Sequence, residues 1–159
     1  IPAGVDTGTR IRISGEGEPG QKGASNGDLY IFVEVQKDRL FVREEENIFC
    51  HIPVSIITAI LGGEIEIPTI DGKKARLTIP PGTQSETQFR LKGKGMSILR
   101  QKFRGDMYVE AAVEIPVNLT NKQKLILKDF EKEGGTSKAH SPKSQSFFQK
   151  IKEVWDDLT

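Results

Sequence analysis

Hydrophobic and polar positions alternate with a period of two through most of the chain up to Glu114, the pattern of half-buried strands. Thr9–Ile13 places Ile11 and Ile13 on one strand face. Asp28–Val35 places Leu29, Ile31, Val33 and Val35 on one face and Tyr30, Phe32 and Glu34 on the other. A strand that carries aromatics on its second face is either covered there or offers a binding surface. Ile48–Val54 aligns Ile48, Cys50 and Ile52, and its Pro53 predicts an edge position or a strand end. Ser55 is placed to cap a short helical turn over Ile56–Leu61 that Gly62-Gly63 breaks. Asp71-Gly72 reads as the tight turn of a hairpin joining Ile65–Ile70 to Ala75–Ile79. Further strands are predicted over Thr87–Leu91 and Asp106–Glu114. Gln36–Asn47 is charged apart from Leu40-Phe41-Val42 and reads as a linker between two units.

After Pro116 the periodicity becomes helical. Thr120 with Gln123 forms a capping box, and Leu125, Ile126 and Phe130 make the apolar stripe of a helix ended by Gly134-Gly135. A polar loop over Thr136–Gln145 leads to Ser146–Leu158, where Phe147, Phe148, Ile151, Val154, Trp155 and Leu158 share one helix face. Such a face either folds back on its own sandwich or packs on the same helix of a second subunit as a two-fold dimer. The polar loop before it, and so many aromatics in so few turns, favour the dimer.

A duplication organises the chain. The opening Ile1–Val35, IPAGVDTGTRIRISGEGEPGQKGASNGDLYIFVEV, recurs without a gap as Ile79–Val113, IPPGTQSETQFRLKGKGMSILRQKFRGDMYVEAAV, at a constant offset of 78 residues. Ile1/Ile79, Gly4/Gly82, Arg12/Arg90, Gly15/Gly93, Gly27/Gly105, Asp28/Asp106 and Tyr30/Tyr108 are identical across it. A strand-like run, Asn47–Thr78, precedes the second copy, and none precedes Ile1. The first unit is therefore expected to lack its front half, and the chain to be a piece of a longer protein. The expected fold is mainly β: two tandem β-sandwich domains, the first truncated at its N-terminus, followed by a helical C-terminal dimerisation segment. The expected boundaries are residues 1–46, 47–119 and 120–159.

Composition narrows the functional classes. With 36% hydrophobic and 7% aromatic residues in 159, the chain buries a thin core, which suits small sandwiches better than one large globule. A net charge of +1 predicts no broad attraction to nucleic acid or an anionic membrane. The lone Cys50 excludes an intrachain disulfide and a cysteine-rich zinc site within these residues. No stretch approaches the roughly 20 apolar residues of a membrane span.

Catalytic chemistry has little to stand on. His51 lies on a strand and is remote in sequence from His140, Cys50 alternates with aliphatics, and Glu64 and Glu66 share a strand face without an apolar pocket to split their pKa values. Gly15-x-Gly17 and Gly93-x-Gly95 follow strands but lack the third glycine and the helix of a dinucleotide loop. The basic Lys92-Gly-Lys94 could touch phosphate, yet the first copy has Ser14 and Glu16 there. What remains is a non-enzymatic binding scaffold, in which an extended peptide adds to a sheet edge and side-chain pockets select apolar residues. Phe41 fits a pocket wall or, equally, a plug between the two units. A structural adaptor whose only interface is the C-terminal helix is the alternative function.

The blocks IPAGVDTGTRIRISGEGEPG and GDLYIFVEV, then LFVREEENIFCHIPVSIITAILGGEIEIPTIDG, RLKGKGM, RGDMYVEAAVEIP and HSPKSQSFFQKIKEVWDDL, together resemble the C-terminal part of the DnaJ family. This is the zinc-bearing class of J-domain co-chaperones in its bacterial or organellar form, and the resemblance covers essentially the whole chain. It implies two similar β-sandwich domains and a helical dimerisation segment. It implies binding of unfolded client polypeptides by strand addition in a shallow apolar groove, with Phe41 as the groove aromatic and Ile11, Ile13, Leu29 and Ile31 as candidate client-binding positions. Phe147, Phe148, Ile151, Trp155 and Leu158 match the dimer helix, to which the helical pattern adds Val154. The implied partner is the seventy-kilodalton heat-shock chaperone, in the bacterial cytoplasm or an organelle matrix. The family's His-Pro-Asp motif and its Cys-x-x-Cys-x-Gly-x-Gly zinc modules are absent from these residues, so no cofactor and no stimulation of the partner's ATPase are expected of this chain alone.

Overall fold

The computed structural model describes residues 1–135 and 140–157. It contains two compact units, Ile1–Ile115 and Pro116–Thr159. The first holds eight strands, β1 (Arg10–Ile13), β2 (Leu29–Phe32), β3 (Val42–Glu44), β4 (Asn47–Ser55), β5 (Gly63–Pro68), β6 (Lys74–Ile79), β7 (Gln88–Leu91) and β8 (Met107–Glu114), with helix α1 (Ile56–Leu61) between β4 and β5. Among the described residues they form a β1–β2 hairpin, a sheet in the order β3-β4-β8-β7, and a β5–β6 hairpin. The expected mainly β fold with a C-terminal helical part is therefore the one found.

The duplication in sequence is a duplication in three dimensions. In the first copy Ile11 lies opposite Ile31 and Arg12 opposite Tyr30; in the second Phe89 lies opposite Val109 and Arg90 opposite Tyr108. Every pair is displaced by the same 78 residues. Loop bonds repeat as well. Val33 N donates to Thr9 O at 3.0 Å and Ala111 N to Thr87 O at 2.9 Å, while Gly17 N donates to Gly27 O and Gly95 N to Gly105 O, both at 2.8 Å. A hydroxyl closes each unit in the same place, Thr7 Oγ1 accepting from Val35 N at 2.9 Å and Ser85 Oγ from Val113 N at 3.2 Å.

The core is built from the second copy together with the Asn47–Thr78 run before it. Alternate residues of β4 (Ile48, Cys50, Ile52, Val54) and β8 (Met107, Val109, Ala111) point to one side and cluster with Ile67 of β5, Leu77 and Ile79 of β6, and Ala59 of α1. Burying each large aliphatic side chain stabilises by about 1.5–3 kcal/mol relative to exposure. β4 and β8 run parallel over eight residue pairs, Ile48–Ser55 beside Met107–Glu114. Both are therefore central strands, and Pro53 is tolerated because β3 pairs only with Asn47–Phe49, leaving its side of β4 open further along. The Cys50 thiol is buried, and burial pushes its pKa up, so it stays protonated.

Local signals decide the connections. Ser55 Oγ accepts from Thr58 N at 3.1 Å and starts α1, and Gly62 at φ 79° ends it. The β5–β6 loop is longer than a two-residue turn: Thr69 N donates to Lys73 O at 2.9 Å and Gly72 N to Thr69 O at 3.0 Å. The charged segment expected to be a linker contains β3, and the expected boundary between residues 46 and 47 falls in the turn joining β3 to β4 of one sheet.

The second unit holds α2 (Asn121–Phe130) and α3 (Pro142–Asp157). The capping box forms as expected, with Thr120 N donating to Gln123 Oε1 at 2.8 Å and Gln123 N to Thr120 Oγ1 at 3.2 Å. A further turn over Glu131–Gly135 follows α2, and Gly134 leaves it at φ 94°. Among the described residues no helix is long and apolar enough to cross a membrane.

Candidate functional site

Phe41 stands just before β3, between two anchored residues, Asp38 and Arg43. Asp38 Oδ1 accepts from Leu40 N at 2.8 Å and from Phe41 N at 3.1 Å, an Asx turn that aims the chain into the strand. Those two amides hold the Asp38 carboxyl below its usual pKa. Beyond Phe41, Arg43 lies mostly buried and donates to Val5 O at 2.8 Å and Glu45 O at 2.7 Å, with Asp6 Oδ2 at 3.4 Å. It ties the loop before β1 to the turn between β3 and β4, and Val35 of the first copy and Met96 of the second both line the cavity beside Phe41.

A cavity of about 620 Å³ opens there. Phe41 is half-buried and packs against the core, and with Ile48, Ile70, Met96 and Val35 it gives the cavity apolar walls. Asp6, Lys37, Asp38 and Arg43 put charge among its lining residues. β3 is an edge strand of its sheet, so it has a strand partner on one side only among the described residues. An apolar cavity beside a strand edge can take an extended peptide, with backbone bonds along the edge and a side chain in the hole.

The remaining candidate positions are not gathered at this cavity. The strand register puts Ile11 opposite Ile31 and Ile13 opposite Leu29, so the four share one face of the β1–β2 hairpin. Ile11 lines a separate groove, and Ile13, Leu29 and Ile31 line neither. Their counterparts 78 residues on are Phe89, Leu91, Met107 and Val109, which lie in or against the core. Ile48, Ile70 and Met96 carried no signal as site residues. Asp38 did, because an aspartate shortly before an isolated aromatic is an Asx-turn pattern.

On α3, Phe147, Phe148, Ile151, Val154 and Trp155 are all exposed, and the Phe147 and Phe148 rings meet edge to face at 5.8 Å. Leu158 lies outside the described residues. The groups weighed for catalysis fall in other places. Glu66 pairs with Lys74 at 2.9 Å and Glu64 with Arg76 at 3.6 Å, cross-strand ion pairs on a solvated face. His51 Nδ1 lies 3.1 Å from Glu110 Oε1 on the exposed side of β4. Among the described residues no three His, Cys, Asp or Glu side chains are grouped to hold a metal ion.

Known proteins match over the whole length. The model of the DnaJ C terminal domain matches residues 1–116, and that of the chaperone protein DnaJ C-terminal region matches residues 122–157. The chain is 58% identical over 159 residues to a chaperone protein DnaJ of Paramagnetospirillum magneticum, covering 99% of the chain and 42% of that protein. It is 54% identical to the chaperone protein DnaJ of Acidiphilium cryptum (99% of the chain, 41% of the relative). With that of Cereibacter sphaeroides strain KD131 it shares 55% identity (100% and 41%). The chain thus spans about two fifths of the length of these relatives.

Proposed function

The chain belongs to the DnaJ C-terminal domain family, and on that premise we propose that it is the client-holding and self-associating portion of a DnaJ co-chaperone. The observation that carries this reading is the cavity of about 620 Å³ beside Phe41, with apolar walls from Phe41, Ile48, Ile70 and Met96 and adjoining an edge strand. An unfolded polypeptide adds along β3 and places one large apolar side chain against Phe41, Ile70 and Met96. Capture needs no nucleotide and no bond chemistry. Ile11, Ile13, Leu29 and Ile31 offer a second, flatter surface whose part is subsidiary, because the matching face of the second copy is core.

The exposed aromatic face of α3 pairs with its counterpart in a second copy, burying Phe147, Phe148, Ile151, Val154 and Trp155. Two weak client sites on one dimer then act with avidity. In the whole protein, held clients pass to the seventy-kilodalton heat-shock chaperone in the bacterial cytoplasm. Stimulation of that partner's ATPase, and zinc binding, belong to parts of the whole protein other than these residues.

The test is suppression of aggregation of a chemically denatured client, followed by light scattering on dilution. The parent chain is expected to slow aggregation, and Phe41→Ala to lose most of that effect while keeping the parent's melting temperature within a few degrees. Equal protection by Phe41→Ala would move client holding away from the cavity. No protection by the parent would leave the helix as the sole interface and favour an adaptor.

A further inference from the structure

A second groove, of about 630 Å³, runs along β1 on the far side from β2, with the Ile98–Gln101 turn as its opposite wall. Four consecutive residues, Thr9 to Arg12, line it. In the β1–β2 ladder Val33 N donates to Thr9 O at 3.0 Å, which makes Thr9, Ile11 and Ile13 the positions bonded to β2. The N–H and C=O groups of Arg10 and Arg12 therefore point into the groove. The opposite wall is ordered by its own bonds, Gln101 N to Ile98 O at 3.1 Å and Ile98 N to Phe103 O at 3.3 Å. It is also seated on the chain start: a Cβ at Gly4 would lie 2.6 Å from Ser97 O and 2.7 Å from Leu99 N.

The charge in this groove has one sign. Among the described residues Arg10, Arg12 and Arg100 line it and no carboxylate does. Arg12 is engaged at 2.8 Å with Asp28, the residue just before β2. Arg10 lies over the Tyr30 ring, 5.5 Å from its centroid, which holds the guanidinium in place without neutralising it. Neither Arg10 nor Arg100 has a carboxylate partner among the described residues. Val5, Ile11, Ile98 and Leu99 supply aliphatic surface between the cations.

From this arrangement we infer that the groove is a second peptide site, distinct from the Phe41 cavity, for an extended acidic segment of a partner protein. The backbone adds to the β1 edge at Arg10 and Arg12. Carboxylates meet Arg10 and Arg100, and intervening aliphatic side chains rest on Ile11 and Leu99. A free strand edge matches a polypeptide, whose amide and carbonyl groups alternate as the edge requires, and a nucleic acid backbone has no such pairing. This goes beyond client holding, since the cavity at Phe41 selects apolar segments and the β1 groove selects acidic ones.

The experiment titrates the chain into a fluorescein-labelled peptide of alternating Glu and Val, about ten residues long to match a strand, and reads anisotropy. A Lys-Val peptide of the same length is the control. The Glu-Val peptide binds and the Lys-Val peptide does not. Arg10→Glu and Arg100→Glu each weaken binding about tenfold, because each removes an attraction and adds a repulsion, and Phe41→Ala leaves it unchanged. Amide exchange slows at Arg10 and Arg12 on binding and stays constant at Ile11. Both arginines are at the surface, and melting curves verify that the variants fold. The inference is overturned by any of four results: no binding at about 1 mM, charge-reversed variants that bind like the parent, loss of binding in Phe41→Ala, or displacement of the peptide by a single-stranded oligonucleotide at equal concentration.

Discussion

Arg90 donates from Nε to Asp106 Oδ2 at 2.7 Å, while the other oxygen of that carboxylate accepts the Gly93 amide, also at 2.7 Å. Asp28 repeats the pair with Arg12 Nε at 2.8 Å and the Gly15 amide at 3.1 Å. One aspartate in each copy thus pins the start of the loop after the first strand to the strand that returns beside it. The two locks differ in surroundings. Asp106 is the more covered, with 14% of its side chain exposed against 27% for Asp28, and its own amide donates to Asn47 Oδ1 at 3.0 Å.

The Asp106 lock is a source of acid sensitivity. The Gly93 amide first, and the Arg90 guanidinium second, hold the Asp106 carboxyl below its usual pKa. Its contribution to stability is complete above the ordinary carboxylate value of about 3.9 and is lost as pH falls through the lower folded-state value. Asp106→Asn should therefore lower the urea midpoint at neutral pH, with the gap to the parent closing as the pH is taken down through that range. A gap that stays constant with pH would show that the charge is not what the lock uses.

The copies also predict unequal tolerance at one shared glycine. A Cβ at Gly105 would collide with Glu46 O and lie 2.5 Å from Glu46 C, both backbone atoms. At Gly27 its nearest neighbour would be Glu18 O at 3.7 Å, an ordinary contact. Gly105→Ala should cost about 3 kcal/mol by overpacking, and Gly27→Ala less than about 1 kcal/mol. Chemical denaturation of the two variants checks this. Equal costs would mean that the backbone of the second copy is not held against Glu46.

For the helical part, sedimentation of a chain ending at Ser144 is the check on pairing. The full chain should sediment as a dimer and the shortened one at half that mass. Phe147→Ala with Phe148→Ala in the full-length chain should shift the equilibrium in the same direction. A full chain that is monomeric at tens of micromolar would return the aromatic face to its own subunit.

Much of this architecture could be read before any coordinates, for definite reasons. The period of two located the strands, and the recurrence of Arg12 and Asp28 as Arg90 and Asp106 located the two copies. Ser55 and Thr120 carried the helix starts, because capping is local chemistry. Alternation says which residues share a face, however, and not what covers that face. Ile11, Ile13, Leu29 and Ile31 share a face by alternation, and alternation alone does not show that their counterparts Met107 and Val109 are core, with Phe89 and Leu91 packed against it. β3 is three residues inside a charged run, too short to show a period. The parallel pairing of β4 with β8 joins residues far apart in the chain, as do the contacts that set Ile70 and Met96 beside Phe41, and neither leaves a local trace.

Client capture at the junction of the two copies is tested most directly by titrating an unfolded, aliphatic-rich peptide into the isotopically labelled chain and following its amide and methyl resonances. Saturable shifts should centre on Phe41, Val42, Ile48, Ile70 and Met96, and vanish in Phe41→Ala. Shifts confined to other surfaces, or none at millimolar peptide, would contradict the assignment of client holding to this cavity.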